Sequence, residues 1–475
     1  MTMLFFLTWL SASVNIDKNP GYGVISMDFN IPSGAERILQ SLTDAGYEAY
    51  FVGGCVRDLL RVVPPHDWDI CTSARPEETA ACFASHRVLE TGLKHGTVTV
   101  LMDGEPYEIT TYRTEGPYSD RRRPDFVRFV SDLQKDLARR DFTINAIALG
   151  LDGSLRDPFD GADDINAGLI RCVGDPARRF QEDGLRLMRA LRFASVFGYG
   201  IEDLTAQAIH DHRTMLDNVP AERVREELYK LLTGQNAGDV LRQYPDVLWQ
   251  FWPELKPLAG MAQDNPWHCW DGWEHTLHAL EAAPADVTVR LAVLLHDIGK
   301  PQCRSTDEKG IDHFYGHPAV SAEIAEKLLR TLKFDLATLK RVVTLVTYHD
   351  TPLLQDSKGI RRWLNRLGPE TFFQLLEVKR ADKLGQAPEK TAVQLSELDK
   401  IRTDAEQIVA ERQCLTLKDL AVNGKDVIAA GAVPGPAVGR VLNRLLEQVL
   451  NGELPNQRKV LLAQIDKLSG HQNIS

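Results

Sequence analysis

Apolar positions along the chain change texture near residue 162. Before it, short apolar runs end at glycines or turn residues; beyond it, apolar residues recur at helical spacing almost without interruption. Ile38, Leu39 and Leu42 predict a helix over 34–46. YEAYFVGG (47–54) reads as a short buried strand stopped by two glycines, CVRDLLR opens a helix, and HDWDI (66–70) returns as a second strand. GTVTVLMDGEPYEITTY (96–112) predicts a hairpin turning at Asp103-Gly104. Residues 113–131, with Arg121, Arg122 and Arg123, predict a mobile polar loop. LQKDLARRDFTINAIALG (133–150) predicts a helix entering a strand, and DPFDG (157–161) a turn cluster able to serve as a hinge. DPARRFQEDGLRLMRALRFASVFGY (175–199) predicts one long amphipathic helix, and VPAERVREELYKLL (219–232) another. The segment 418–465 combines a Gly/Pro turn with two helices, and no internal repeat is present.

The expected fold class is α+β: a small mixed α/β head of about five strands over 34–160, then only helices. These divide into a neck (161–235), a body holding most of the histidines (236–410) and a tail (411–475). Residues 1–33 stand apart as an N-terminal extension. LFFLTWL (4–10) is too short to span a bilayer and lacks the basic lead of a signal peptide. Met27 is a better start, with a weak export or anchoring signal as the alternative.

Composition narrows the classes. At 475 residues, 43% hydrophobic and 25% charged, the chain is ordinary soluble, multidomain protein. Seven scattered cysteines without metal-ligand spacing suit a reducing cytoplasm. A net charge of −11 excludes a basic coat, but phosphate contacts need only a local basic stripe.

Asp67 and Asp69 carry the chemistry. On a strand they would share one face, with Trp68 on the other. Two carboxylates at such range repel by about 4 kcal/mol at an effective dielectric near 20, and a divalent cation turns that repulsion into a site suited to Mg²⁺. Gly53 and Gly54 let backbone approach phosphates, Arg57 can reach a triphosphate, and Glu108 on the returning hairpin strand adds a third carboxylate. A lone Asp-x-Asp is usually a turn or a solvated strand edge. Strand, Gly-Gly, Arg-Asp helix and Asp-x-Asp strand in this order are much rarer, and describe metal-dependent nucleotidyl transfer.

The order of motifs resembles the bacterial class II CCA-adding tRNA nucleotidyltransferases from about residue 34 to 465. GGCVRD with HDWDI, TGLKHGTVTV, RRDFTINAIA, DPFDG and EDGLRLMRALRFA match that family's successive motifs, and VNGKDVI with PGP resembles its tRNA-binding end. The resemblance implies that Gly53, Gly54 and Arg57 hold nucleotide phosphates and that Asp67 and Asp69 bind two Mg²⁺ ions about 4 Å apart. It implies that Arg140, Asp141 and Asn145 address triphosphate and ribose. Asp183 and Arg186 would read the base, with Arg189 and Arg192 as further nucleotide contacts. The implied activity is template-independent addition of C, C and A to the tRNA 3′ end from CTP and ATP. An acceptor and a guanidinium three residues apart suit cytosine and adenine, each offering an amine beside a ring nitrogen. Guanine and uracil would leave buried groups unpaired, at about 1–3 kcal/mol each. A salt-bridged helix face would show the same spacing.

His275, the His296-Asp297 doublet, His317, His349 and Asp382 occur in the order of the HD superfamily of metal phosphohydrolases, LLHDIGK (294–300) being the most recognisable piece. Imidazoles and carboxylates on neighbouring helices can converge on Mg²⁺ or a transition metal. The implied activity is phosphatase or 2′,3′-cyclic phosphodiesterase action. His268, His278 and His313 are read as structural. A-adding enzymes and poly(A) polymerases remain alternatives, and an RNA-binding protein with an inactive head is the non-enzymatic one.

Overall fold

The computed structural model describes residues 16–19, 22–25, 30–89, 92–93, 96–116 and 126–470. LFFLTWL, Met27, Lys94, His95 and the Arg121–Arg123 run lie outside the described residues. The chain forms two compact units, residues 1–251 and 252–475.

The first unit is built on a mixed sheet of nine strands, larger than the five expected. In chain order its members are β1 (Ile16–Asn19), β2 (Tyr22–Ile25), β3 (Ala49–Val52), β4 (Asp69–Thr72), β5 (Arg87–Leu89), β6 (Thr97–Met102) and β7 (Glu105–Thr111). A separate small hairpin, β8 (Arg113–Glu115) with β9 (Val127–Phe129), follows. β10 (Ala148–Leu149) and β11 (Ser154–Arg156) complete the large sheet, whose spatial order is β1-β2-β11-β10-β3-β4-β7-β6-β5. All its pairs are antiparallel except β4 with β7. The extra strands are too short, or too polar in pattern, to alternate visibly. Two of them come from the supposed extension, where β1 and β2 form a hairpin that pairs with β11.

Helix Ser33–Asp44 turns Ala35, Ile38, Leu39 and Leu42 onto β3, a spacing that lays one apolar stripe against the sheet. The β6–β7 hairpin forms as expected, with Asp103 (φ 56°) and Gly104 (φ 88°) in its turn. In the DPFDG turn, Asp157 accepts from Gly161 N at 2.8 Å and Ala162 N at 2.9 Å. A Cβ on Gly161 would fall 2.1 Å from the Thr143 carbonyl oxygen, so this turn is tightly packed.

The long helix expected over 175–199 is two helices, Pro176–Glu182 and Leu185–Phe197. Asp183 between them is extended (φ −146°, ψ 108°) and accepts from Leu185 N at 3.0 Å. This is what a short carboxylate does when it competes with helix backbone. Gly184 follows because a Cβ there would stand 2.8 Å from the Met215 carbonyl oxygen. Helix Ala221–Thr233 forms as expected, and helices Ala237–Gln243 and Pro245–Phe251 close this unit.

The second unit is helical apart from β14 (Ser305–Thr306) and β15 (Asp312–His313); β12 (Leu169–Ile170) and β13 (Gly200–Ile201) are the matching short pair of the first. Helices Gly272–Ala282, Val287–Leu295, His317–Thr331, Leu336–Tyr348 and Pro369–Leu384 pack around one another. Body and tail share an apolar core in which Ile360, Phe372 and Ile401 meet Val441, Leu445 and Leu461. The tail has three helices, Gly424–Ala429, Pro436–Leu450 and Arg458–Gly470, one more than expected. All seven cysteines are free. No helix among the described residues is long and apolar enough to cross a membrane.

Candidate active site and a candidate metal centre

Gly53 ends β3 at φ +77°, the left-handed region that favours glycine, and helix Gly54–Leu60 starts at the next residue. A Cβ on Gly53 would stand 3.1 Å from Arg140 Nη1 and 3.8 Å from Asp69 Oδ2, so those two groups converge on the bare glycine. Asp69 opens β4 in register with Glu108 on the parallel β7. Tyr107 and Ile109 turn inward while Glu108 is exposed, which puts the Glu108 carboxylate beside Asp69. Asp67 departs from expectation: it lies in the bend before the strand, exposed, with Oδ1 3.0 Å from His66 Nδ1. Trp68 packs edge-on to Phe51, at 5.0 Å between ring centroids, and this anchors the bend.

Asp69 keeps an open tip but is otherwise surrounded by protein. Loss of water raises its pKa above the usual carboxylate value; Arg140 opposes the rise, and Glu108 and Asp67 add to it. The local excess of negative charge and the all-oxygen donors fit a hard divalent cation.

Behind this edge the predicted nucleotide residues are held by polar partners, most of them buried or part-buried. Asp141 accepts from Arg189 Nη2 at 2.6 Å and Nε at 2.8 Å, from Asn145 Nδ2 at 3.0 Å and from Phe142 N at 2.8 Å. Burial alone would raise its pKa, but Arg189, Asn145 and Arg186 hold it well below the usual range. Arg57 donates to Asn145 Oδ1 at 2.8 Å and to the Asp58 carboxylate. Arg186 is buried, donating to Glu182 Oε2 at 2.6 Å and to the carbonyls of Arg179 and Arg139. Asp183 accepts from Arg223 at 2.8 and 3.2 Å. Arg192 lies 3.0 Å from Glu227; burial lowers its pKa to about 10 despite that partner. Asp183 and Arg186 therefore do not pair with each other: Arg223 holds the first, and Glu182 with two backbone carbonyls holds the second.

In the second unit the six predicted residues converge. His275 Nε2 is 3.3 Å from Asp297 Oδ2 and 3.2 Å from Asp382 Oδ1, and His296 Nε2 is 3.1 and 3.6 Å from the same atoms. On the other side of Asp297, His317 and His349 approach Oδ1 at 3.2 and 3.7 Å. Two triads result, His275/His296/Asp297 and Asp297/His317/His349, all buried and each close enough to hold one metal ion. The Nδ1 atoms of His275, His296, His317 and His349 hydrogen-bond the carbonyls of Gly385, Val293, Phe314 and Val346 at 2.6–3.0 Å. Nδ1–H donation to these carbonyls leaves every Nε2 lone pair turned to the centre, as metal-ligating histidines require. Although burial lowers the pKa of His296, Asp297 and Asp382 push it up to about 10, so a cation is favoured at that point.

A family model described as "Poly A polymerase head domain" matches residues 49–171, and one for tRNA nucleotidyltransferase domain 2 matches 306–465. The CCA-adding enzyme of Limosilactobacillus reuteri is 37% identical over 444 residues, which cover 92% of this chain and 96% of that one. That of Levilactobacillus brevis is 38% identical over 440 residues, 91% of this chain and 96% of its own. The chain belongs to the CCA-adding enzyme family. A crystal structure of the Bacillus stearothermophilus CCA-adding enzyme in complex with CTP aligns at a TM-score of 0.68 with 31% identity. The alignment covers 93% of this chain and 98% of that one.

For a CCA-adding enzyme the partners missed from sequence are as informative as the residues found. Glu182, Arg223 and Glu227 hold Arg186, Asp183 and Arg192. Charge alone signals them, but nothing in the spacing pairs Asp183 with a residue forty positions on. One consequence is testable by urea unfolding. Arg189→Met strands the buried Asp141 carboxylate and is expected to cost about 3 kcal/mol at pH 7. Because the folded pKa of Asp141 is depressed, its stabilisation is complete above the unfolded value of about 3.9 and is lost as pH falls toward the depressed value. The gap between wild type and variant therefore narrows below about pH 4. A pH-independent gap would assign the loss to packing.

Proposed function

We propose that this chain acts in the cytoplasm to add cytidine, cytidine and adenosine to the 3′ end of tRNA, using CTP and ATP and releasing pyrophosphate. The observation that carries this is the convergence of Asp69 and Arg140 on Gly53, with Glu108 in register beside Asp69, in a chain whose relatives are CCA-adding enzymes over nearly their full length. The terminal 3′-oxygen of the RNA attacks the α-phosphorus of the nucleotide. Its P–O bond forms as the α–β bridging P–O bond breaks, the hydroxyl proton is lost, and pyrophosphate leaves.

Asp67, Asp69 and Glu108 would hold Mg²⁺, which when bound supplies charge stabilisation for the triphosphate and the attacking oxygen. Gly53 leaves room for phosphate beside Arg140, whose guanidinium neutralises charge there. Asn145 and Asp141 position Arg57 and Arg189 around the nucleotide. Asp183 and Arg186 would present an acceptor and donors to the base, in exchange for Arg223 and Glu182. Arg57, Asp141, Asn145 and Arg189 are already fixed by one another, so little ordering of these four remains to be done when nucleotide binds. The decisive experiment offers tRNA transcripts ending before CCA, after C and after CC, with labelled CTP and ATP. CCA addition extends all three to one common length. Extension of the last alone identifies an A-adding enzyme, and a ladder of adenosines a poly(A) polymerase.

A second reading concerns the histidine cluster. We propose that it binds divalent metal and hydrolyses phosphoesters: the P–O bond to the alcohol breaks, and water supplies hydroxide to phosphorus and a proton to the leaving oxygen. The support is the pair of buried triads sharing Asp297, with every Nδ1 occupied by backbone.

A further inference from the structure

Phe197, in the last turn of helix Leu185–Phe197, is a half-buried ring approached by two cations. Arg61 Cζ stands 3.8 Å from its centroid and Arg57 Cζ 4.9 Å. One turn back, Phe193 stacks on it with 5.2 Å between centroids and 25° between planes. Phe193 is itself 5.3 Å from Arg57 and 5.4 Å from Arg189. Phe142 meets Phe193 edge-on at 5.8 Å and Tyr199 meets Phe197 edge-on at 5.6 Å, so both ends of the stack are held.

Three of the five N–H donors of Arg57 are used, on Asn145 Oδ1 and the two Asp58 oxygens. Its terminal nitrogens lie beside Gly54, where a Cβ would stand 3.7 and 4.0 Å away. Two donors are thus left over at a bare glycine. The three bonds act in the plane of the guanidinium and do little to limit its tilt. An aromatic ring limits the tilt, because a guanidinium is attracted to a ring face and stacks there. The rings also relieve like charge: burial and then repulsion from Arg189 and Arg57 depress the pKa of Arg192, so cations crowd this part of the head.

We infer that Phe197 is a positioning residue for nucleotidyl transfer: backed by Phe193, its ring holds the Arg57 guanidinium toward the nucleotide triphosphate. The inference rests on the nucleotidyl-transfer reading and adds a residue that acts through its phosphate-binding arginine.

The test is a double-mutant cycle between Phe197 and Arg57 in full-length protein. KM values are read from tRNA extension, and CTP affinity from isothermal titration without tRNA. Phe197→Leu is expected to raise KM for CTP and ATP alike by about tenfold, with KM for tRNA unchanged and Phe197→Tyr near wild type. In an Arg57→Met background the same substitution adds no further loss, because the ring acts through a group already gone. CTP affinity follows the same pattern. An unchanged nucleotide KM in Phe197→Leu, losses that multiply across the cycle, or a tyrosine variant as impaired as the leucine one overturns the inference and leaves the ring as packing at a helix end. Should Phe197→Leu fail to fold, Phe197→Met, which has no π face, replaces it under the same readings. If wild type extends no tRNA, the transfer reading falls and titration alone decides. CTP binding that depends on Phe197 only while Arg57 is present upholds the ring's role, and independent losses overturn it.

Discussion

Asp69→Ala is expected to lower incorporation of CTP and ATP by about 10³-fold or more, equivalent to roughly 4 kcal/mol of transition-state stabilisation, while tRNA binding and thermal stability stay near wild type. Asp69 is the carboxylate around which the strand edge is arranged: it is in register with Glu108, its Oδ2 shares the space beside Gly53 with Arg140, and Asp67 lies close enough to add to its pKa rise. Its loss removes an ion ligand, while Arg140 keeps its ion pair with Asp136 at 3.3 Å. Glu108→Gln keeps the shape and loses one charge, so its defect should be smaller and partly rescued by higher Mg²⁺. Primer extension with tRNA lacking CCA measures the first effect, and filter binding controls for RNA affinity. Near-normal turnover by the Asp69 variant would mean that nucleotidyl transfer does not occur at this strand edge.

The parts of this site that could be read from sequence are those fixed by local chemistry. Gly53 stops a strand at a positive φ that favours glycine, and Asp103-Gly104 turns a hairpin through two left-handed residues, the region that Asp and Gly tolerate best. The histidine cluster was legible because its six residues occur in the order of the HD superfamily, with LLHDIGK (294–300) as the marker. What sequence hid was tertiary. Asp67 looked like a strand residue by alternation, yet the chain joins the sheet only at Asp69, after Trp68 has turned onto Phe51. Asp183 and Arg186 looked like a pair by helical spacing. The backbone breaks between Glu182 and Leu185 and delivers each to a different partner. The β1–β2 hairpin was invisible because its strands gain their partner, β11, some 130 residues later.

Asp297→Ala is expected to remove metal from both halves of the histidine cluster and to abolish phosphoester hydrolysis, with CCA addition retained. Asp297 alone belongs to both triads, so its loss takes a ligand from each, whereas His349→Ala leaves His275, His296 and Asp297 together. Metal content after dialysis should therefore fall to near zero in the first variant and only in part in the second. The same substitution removes the carboxylate that Lys300 approaches at 2.6 Å and that, with Asp382, raises the pKa of His296 to about 10. Lys300 is then left without that carboxylate in a buried site, a loss on the order of 3 kcal/mol for an uncompensated ion. A raised folded pKa contributes stability below the unfolded value of about 6.5, fading as pH climbs toward 10. Metal-free wild type should thus lose more stability than the alanine variant between pH 7 and 10, whereas metal-loaded wild type, whose ligands are already deprotonated, should not. Equal metal content in wild type and Asp297→Ala would show that any ions bind elsewhere, and the paired triads would then be a buried charge network holding four helices together.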